Sequence, residues 1–394
     1  MTTIPDSALR DALATLLPTA GQTRLLRACL QEGDTGRVAR RAWRAAVRDP
    51  LRELAGSGRG GRVLLPLLYW ALRHDSEEMD KALLTVVRTA FAREEIRSTA
   101  VLRICQLALG CLAAESIPVI LARGVALAAT AYDAPALRHC HDVDVLVSRD
   151  DMPRAVEALV RNGEFQVRRA AGTTSGASVV HPSGLPIVLH DRPYRFERSN
   201  QHLESLWPRA VVTTVGETQA HLLAPEDGLL HVLGHAAFAS SRASLLWVCD
   251  AWQILRRHPD LDWDLLNSQA IDRHLALPLA ILLRYLADEL GAAVPAATIE
   301  RLSTRVPDAF EVELAMFGAL VGLGGDPWRL TRRAGSWAGR LRLTAWMIAP
   351  STRYLREVER VPPDRWLAPY YLVRPLLAIA LRGVLAWRGV AIHR

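Results

Sequence analysis

The stretch His141-Asp142-Val143-Asp144-Val145-Leu146-Val147 decides how this chain is read. Side chains alternate across an extended strand, so Asp142 and Asp144 share one face while Val143, Val145 and Val147 share the other, the face of a core. Two carboxylates held this close repel unless a cation lies between them. Hard oxygen ligands suit Mg²⁺, which binds through one or two carboxylates plus substrate phosphates. The pattern therefore reads as a nucleotide site. The competing reading is a half-buried edge strand with two solvated aspartates.

Upstream, Ile117-Pro118-Val119-Ile120-Leu121 reads as a short strand running into Arg123-Gly124, and residues 125–132 read as a helix. Strand, glycine turn and helix start together make a place where backbone N–H groups can meet phosphate oxygens. A glycine there lets the backbone approach a ligand closely. Taken alone, Gly124 also fits an ordinary turn. Arg138 follows in the loop that leads to the Asp-x-Asp strand.

The run Leu121-Ala122-Arg123-Gly124-Val125-Ala126-Leu127, followed by Tyr132, Pro135, Leu137-Arg138 and Asp142-Val143-Asp144-Val145-Leu146-Val147, resembles the uncharacterised nucleotidyltransferase family of the DNA polymerase β-like superfamily. Members carry a Lys-Gly turn, an arginine before the strand and an Asp-x-Asp-x-Leu-Val strand. Farther on, Leu230-His231-Val232-Leu233-Gly234-His235, Leu246-Trp247-Val248-Cys249-Asp250, Pro350 and Arg353-Tyr354 resemble the family's helical His, Trp-x-x-Asp and Pro…Arg-Tyr elements, so the likeness spans residues 117–354. The resemblance implies an α+β fold: a small mixed β-sheet nucleotidyltransferase core embedded between N-terminal and C-terminal helical regions. It implies transfer of a nucleoside monophosphate from Mg-NTP to a small-molecule or peptide acceptor, in specialised metabolite biosynthesis. Asp142 and Asp144 would hold Mg²⁺, with Mn²⁺ as the alternative ion. Arg123, Gly124, Arg138, His190, His235 and Asp250 would serve the nucleotide, His235 and Asp250 either bonded to each other or lining the cleft.

The departures from the family pattern carry equal weight. The resemblance implies a third acid on a neighbouring strand, in a pattern like Asp/Glu-Leu-His, and the matching stretch here is Val188-Leu189-His190. In the family's chemistry that acid holds the catalytic metal and helps deprotonate the attacking hydroxyl. Its loss points to an alternative function, a catalytically weak nucleotide-binding accessory or scaffold protein. Asp191 could substitute only if a bulge turned it, since strand alternation sends it to the opposite face. Arg123 stands where the family has lysine, in a chain whose one lysine is Lys81. Both groups are cations that contact phosphate with different geometry. His190 could bind a metal or a phosphate oxygen, or be a hydrogen-bonded histidine facing the cleft. His231 and His235 lie at i, i+4 on one helix face, without the acid or cysteine that would complete a zinc motif.

With 394 residues, half of them apolar, the chain can bury a substantial core. Four regions are expected: an N-terminal helical region at 1–115, the nucleotidyltransferase-like α/β core at 116–222, a helical domain closing the cleft at 223–326, and a basic Trp/Arg-rich tail at 327–394. Within the core, strands are expected near 165–168, 178–181, 186–190 and 211–215, with helices on one side of the sheet. Residues 1–18 read as a capped amphipathic helix without the basic start and unbroken apolar stretch of a secretory signal. Five cysteines without Cys-x-x-Cys spacing read as reduced core residues of a cytoplasmic protein. The cluster Gly56-Ser57-Gly58-Arg59-Gly60-Gly61 lacks both a leading strand and a Gly-Lys-Ser/Thr sequence, so it reads as a linker.

The formal charge of +7 is unevenly distributed. Residues 327–394 hold thirteen arginines against Glu357, Glu359 and Asp364, so all the excess positive charge lies there. Tryptophans 328, 337, 346, 366 and 387 are interleaved with those arginines, and residues 372–387 read as a greasy helix. Arg374, Pro375 and Arg382 argue against a membrane span. Three readings compete for this tail: a bundle helix, docking on a membrane surface or partner protein, and nucleic-acid contact. No zinc finger or ribonucleoprotein motif supports the last.

Overall fold

The computed structural model describes residues 9, 13–56, 61–73, 80–169, 176–194, 201–238, 245–322, 327–333, 337–359 and 361–371. The readings of residues 1–8, of most of the glycine cluster and of residues 372–394 fall outside them.

The described helices ahead of the sheet include α1 (Ala20–Leu30), α2 (Gly33–Ala46), α3 (Pro50–Gly56), α4 (Leu65–Leu72) and α5 (Lys81–Ala114). A capping box starts α1: the Thr19 hydroxyl accepts from the Gln22 N–H, and the Gln22 carboxamide accepts from the Thr19 N–H at 2.8 Å. In α5 the buried positions Val101, Ile104, Cys105, Ala108 and Leu112 recur at three and four residues, which lays one stripe of the helix on the sheet. Among the described residues α5 alone is long and apolar enough to cross a membrane by length and composition.

The α/β region runs β1 (Val119–Ala122), α6 (Gly124–Thr130), β2 (Val143–Val147), α7 (Met152–Gly163), β3 (Gln166–Arg169), β4 (Ala177–Val180), β5 (Pro186–His190), α8 (Gln201–Glu204), β6 (Val211–Val215) and β7 (Thr218–Leu222). The seven strands form one mixed sheet in the order β3-β4-β5-β2-β1-β7-β6. Two pairs, β1/β7 and β2/β5, are parallel, and the others are antiparallel. Strand β2 thus lies near the centre, between β1 and β5.

Alternation sorts the side chains of β2 as its sequence requires. Val143, Val145 and Val147 are fully buried with Ile187 and Leu189 beneath α5 and α7. Full burial of one such side chain stabilises by roughly 1.5–3 kcal/mol. The opposite face was expected to be free of helices. It is covered at its centre by Leu203 and Leu206, because Ile120, Ala122 and Leu146 are apolar on that side too. Asp144 stands at the edge of this second, smaller core, where the cover stops.

The remaining helices are α9 (Pro225–Phe238), α10 (Leu246–Arg257), α11 (Trp263–Asp272), α12 (Ala276–Leu290), α13 (Ala296–Thr304), α14 (Ala309–Gly322), α15 (Pro327–Arg333), α16 (Trp337–Ile348) and α17 (Thr352–Glu357). One apolar cluster joins them to the N-terminal helices: Leu26 and Leu68 belong to the same core as Leu229, Leu283, Leu314 and Tyr354. Helix α5 bridges the two large cores, with Leu83 and Val87 in this one and Val101 to Leu112 under the sheet. The result is an α+β fold with the mixed sheet set between helical regions. All five cysteines are buried thiols.

Candidate functional site

Strand β1 ends at Ala122, opposite Asp144 across the antiparallel β1/β2 ladder. The next residue, Arg123, caps α6 at φ 46°, ψ −142°, a left-handed conformation that a non-glycine residue adopts at a cost of order 1–3 kcal/mol. That backbone turn aims its guanidinium at the pair of acids. Its Nη2 lies 2.8 Å from Asp144 Oδ2. The other Asp144 oxygen accepts a hydrogen bond from His190 Nε2–H at 2.8 Å. His190 belongs to β5, in register beside Leu146 on the same face.

The two aspartates sit in different surroundings. Asp144 is 5% exposed. Burial pushes its pKa up, but Arg123 and the bond from His190 outweigh that and hold it well below the usual carboxylate range. Asp142, just ahead of β2, is half-buried, with His141 Nε2 3.4 Å from its Oδ2. Burial first, and then the charge of Asp144, push its pKa up against the pull of His141, Arg123 and Arg138. One carboxylate is well compensated; its neighbour still lacks a cation.

Val188 stands directly beside Asp144 in the parallel β2/β5 register, on the face where a third carboxylate would be needed. Asp191 does not take its place, because both its oxygens are bound by Arg192, Nε to Oδ1 at 2.9 Å and Nη2 to Oδ2 at 3.0 Å. Among the described residues no group of three His, Cys, Asp or Glu side chains could hold a metal. Both Asp144 oxygens are bound as well, by Arg123 and His190, so the donors fit one Mg²⁺ held by Asp142 and completed by phosphate oxygens, with Asp144 joining only when one of those bonds gives way. They do not fit two metals bridged with a third acid.

Helix α9 carries two histidines within electrostatic reach of Asp144. His231 is buried and His235, one turn on, keeps an exposed ring. Burial first and Arg123 second push the His231 imidazole well below the ordinary histidine range, so it is neutral at neutral pH. Asp144 and His190 are also felt at both rings, which places α9 over the same cleft. A cavity of about 200 Å³ is lined by Arg123 together with Thr130, Thr213, Val232 and His258. Pockets that enclose a whole drug-sized ligand hold roughly 300–1,000 Å³, so this one has room for part of a nucleotide or acceptor.

Arg138 and Asp250, which the sequence reading assigns to the nucleotide, bind each other instead. Arg138 Nε and Nη2 each donate to one Asp250 oxygen at 2.8 Å, and the Tyr132 hydroxyl donates to Oδ1 at 2.6 Å. All three side chains are buried. No bond joins His235 to Asp250 among the described residues. The Arg138–Asp250 pair ties the loop entering β2 to α10, which positions Asp142. Gly124 has no steric need to be glycine: a Cβ there would meet the Asp142 carbonyl at 3.6 Å and Cys140 Sγ at 3.8 Å, ordinary contact distances.

Arg273 is the residue that sequence reading missed. It sits just after α11 and is 2% exposed. A lone arginine at a helix end gives no sequence signal, since most such side chains point to solvent.

The family model described as "Uncharacterised nucleotidyltransferase" matches residues 62–291, more than half of the chain, from ahead of α4 through α12. No curated protein matches. A crystal structure of an antigenic nucleotidyltransferase-like protein from Paracoccidioides brasiliensis is similar at 16% identity with a TM-score of 0.31, over 51% of this chain and 95% of that one.

Proposed function

Because the chain belongs to the uncharacterised nucleotidyltransferase family, we propose that it transfers a nucleoside monophosphate from Mg-NTP to a hydroxyl or phosphate acceptor on a small molecule or peptide. The observation that supports this most is the closeness of Asp142 and Asp144, whose charges act on each other, with Arg123 reaching Asp144 from the glycine turn. Asp142 and Asp144 would hold Mg²⁺, or Mn²⁺, and the ion would neutralise phosphate charge. Asp142 supplies the uncompensated carboxylate that draws it in. Asp144 would then share its charge with the ion, which frees the Arg123 guanidinium to bond a phosphate oxygen, and Gly124 lets the triphosphate lie against the backbone. With few groups placed for proton transfer, catalysis by these residues rests on positioning and electrostatics.

Val188 supports a second reading, in which the protein binds nucleotide as an accessory and turns over slowly. Isothermal titration with ATP and GTP in Mg²⁺, followed by pyrophosphate release with candidate acceptors, separates the two. Release that is lost in Asp142→Asn and Asp144→Asn supports the transferase, and binding without release supports the accessory. If Mg-NTP does not bind, neither reading survives.

A further inference from the structure

A buried guanidinium normally has a carboxylate partner, because an isolated charge taken out of water is costly. Arg273 has none among the described residues. Its head group lies over the Tyr194 ring, 5.9 Å from the centroid, and its Nη2 makes one long contact of 3.4 Å with the Ser205 hydroxyl. Its Nε has no hydrogen-bond partner. Tyr194 also meets His231, at 5.5 Å between ring centroids, and the buried Nδ1 of His231 is likewise unpartnered. Arg123 adds a third such atom, since its bond to Asp144 uses Nη2 and leaves Nε without an acceptor. Arg273 and His231 are 2% and 6% exposed, so solvent does not satisfy these atoms.

Arg123, at the start of α6, and Arg273, at the end of α11, both act by charge on His231 of α9, and each of the three carries a buried nitrogen without a partner. A buried orphan polar atom forfeits about 1–3 kcal/mol, more if charged, and two of the three side chains are permanent cations. Asp144 neutralises only Arg123. We propose that Arg273, His231 and Arg123 form a metal-independent oxyanion site for phosphoryl groups, next to the Asp142/Asp144 pair. It rests on the nucleotidyltransferase reading for the class of substrate, and two sources present the same chemistry: the tail phosphates of the nucleotide, or a phosphate on the second substrate. In the tautomer that protonates Nδ1, His231 contributes a ring N–H, and Arg273 contributes the charge.

The test uses the full chain with pyrophosphate in EDTA, followed by calorimetry and by the thermal midpoint. Wild type is expected to bind and to gain thermal stability. Arg273→Met should raise the midpoint of the anion-free protein, since it removes an unmatched buried charge, yet weaken pyrophosphate at least tenfold. His231→Phe keeps the ring against Tyr194, and should weaken it several-fold. Asp142→Asn should keep pyrophosphate binding while it loses Mg-dependent ATP binding, so failure of the transferase reading is distinguishable from failure of this one. Displacement of pyrophosphate by metal-free ATP assigns the site to the nucleotide tail, and simultaneous binding of both assigns it to a phosphate of the second substrate. No binding, or equal binding in wild type, Arg273→Met and His231→Phe, overturns the proposal.

Discussion

Asp142 and Asp144 are two residues apart in the same strand run, yet they contribute to folding with opposite signs. Asp144 has its pKa lowered on folding by Arg123 and His190. Its contribution is therefore complete above the unfolded carboxylate value near 3.9 and is lost as pH falls through the folded value. Asp142 has its pKa raised by burial and by Asp144. Its contribution is present below the unfolded value and lost as pH rises through the folded one. At neutral pH, Asp144→Asn should then destabilise the protein by about 3–5 kcal/mol, the usual loss when one partner of a buried ion pair is removed. Asp142→Asn should stabilise it. Urea unfolding at pH 7 and again near pH 4 checks both signs. A destabilised Asp142→Asn would show that the carboxylate is already matched by a group other than His141.

Element by element, what the chain announced depended on locality. Strands β1 to β6 fall where short apolar runs bounded by turns place them, while Asp142 lies one residue ahead of β2 and not within it. Strand β7 was missed although it forms a hairpin with β6, because Thr-Gln-Ala-His-Leu buries only two side chains and carries little apolar signal. The partner of Arg138 was missed for a different reason: Asp250 lies 112 positions on, and no local rule connects them. The register of β5 makes a direct test available. Val188→Asp would set a third carboxylate beside Asp144, costing stability in EDTA through like-charge repulsion and restoring it in Mg²⁺ or Mn²⁺. A midpoint indifferent to metal in that variant would remove the divalent ion from the site. The turn at Gly124 supplies another test. Alanine fits the space and favours helix by up to about 1 kcal/mol over glycine, so Gly124→Ala should be at least as stable as wild type. If the turn receives phosphate, its Mg-ATP affinity should nevertheless fall about tenfold, roughly 1.4 kcal/mol. Unchanged affinity would leave the turn as an ordinary strand-to-helix connection.

On the scale of the whole molecule, the site depends on helices that lie outside the family match. Helix α1 packs on α10 and α12 and bonds to the latter, Thr23 to the Tyr285 hydroxyl at 2.9 Å and Arg27 to Glu289 at 2.9 Å. Helix α14 packs on α9, and Glu313 accepts from the Ser351 N–H at 2.6 Å to hold the start of α17. A fragment of residues 62–291 would remove Leu25, Leu26 and Leu30 on one side and Leu314, Ala315 and Tyr354 on the other, all buried in one cluster with α9 and α12. At roughly 1.5–3 kcal/mol for each large side chain, that loss equals or exceeds the 5–15 kcal/mol by which a domain is ordinarily stable. The fragment is expected to keep helical far-UV circular dichroism, lose near-UV signal and unfold without cooperativity. His231, His235 and the Arg138–Asp250 pair would lose their fixed positions with it, and nucleotide binding would disappear although every matching residue remained. A fragment that unfolded cooperatively and bound Mg-ATP would show instead that the flanking helices serve another purpose, such as contact with the acceptor.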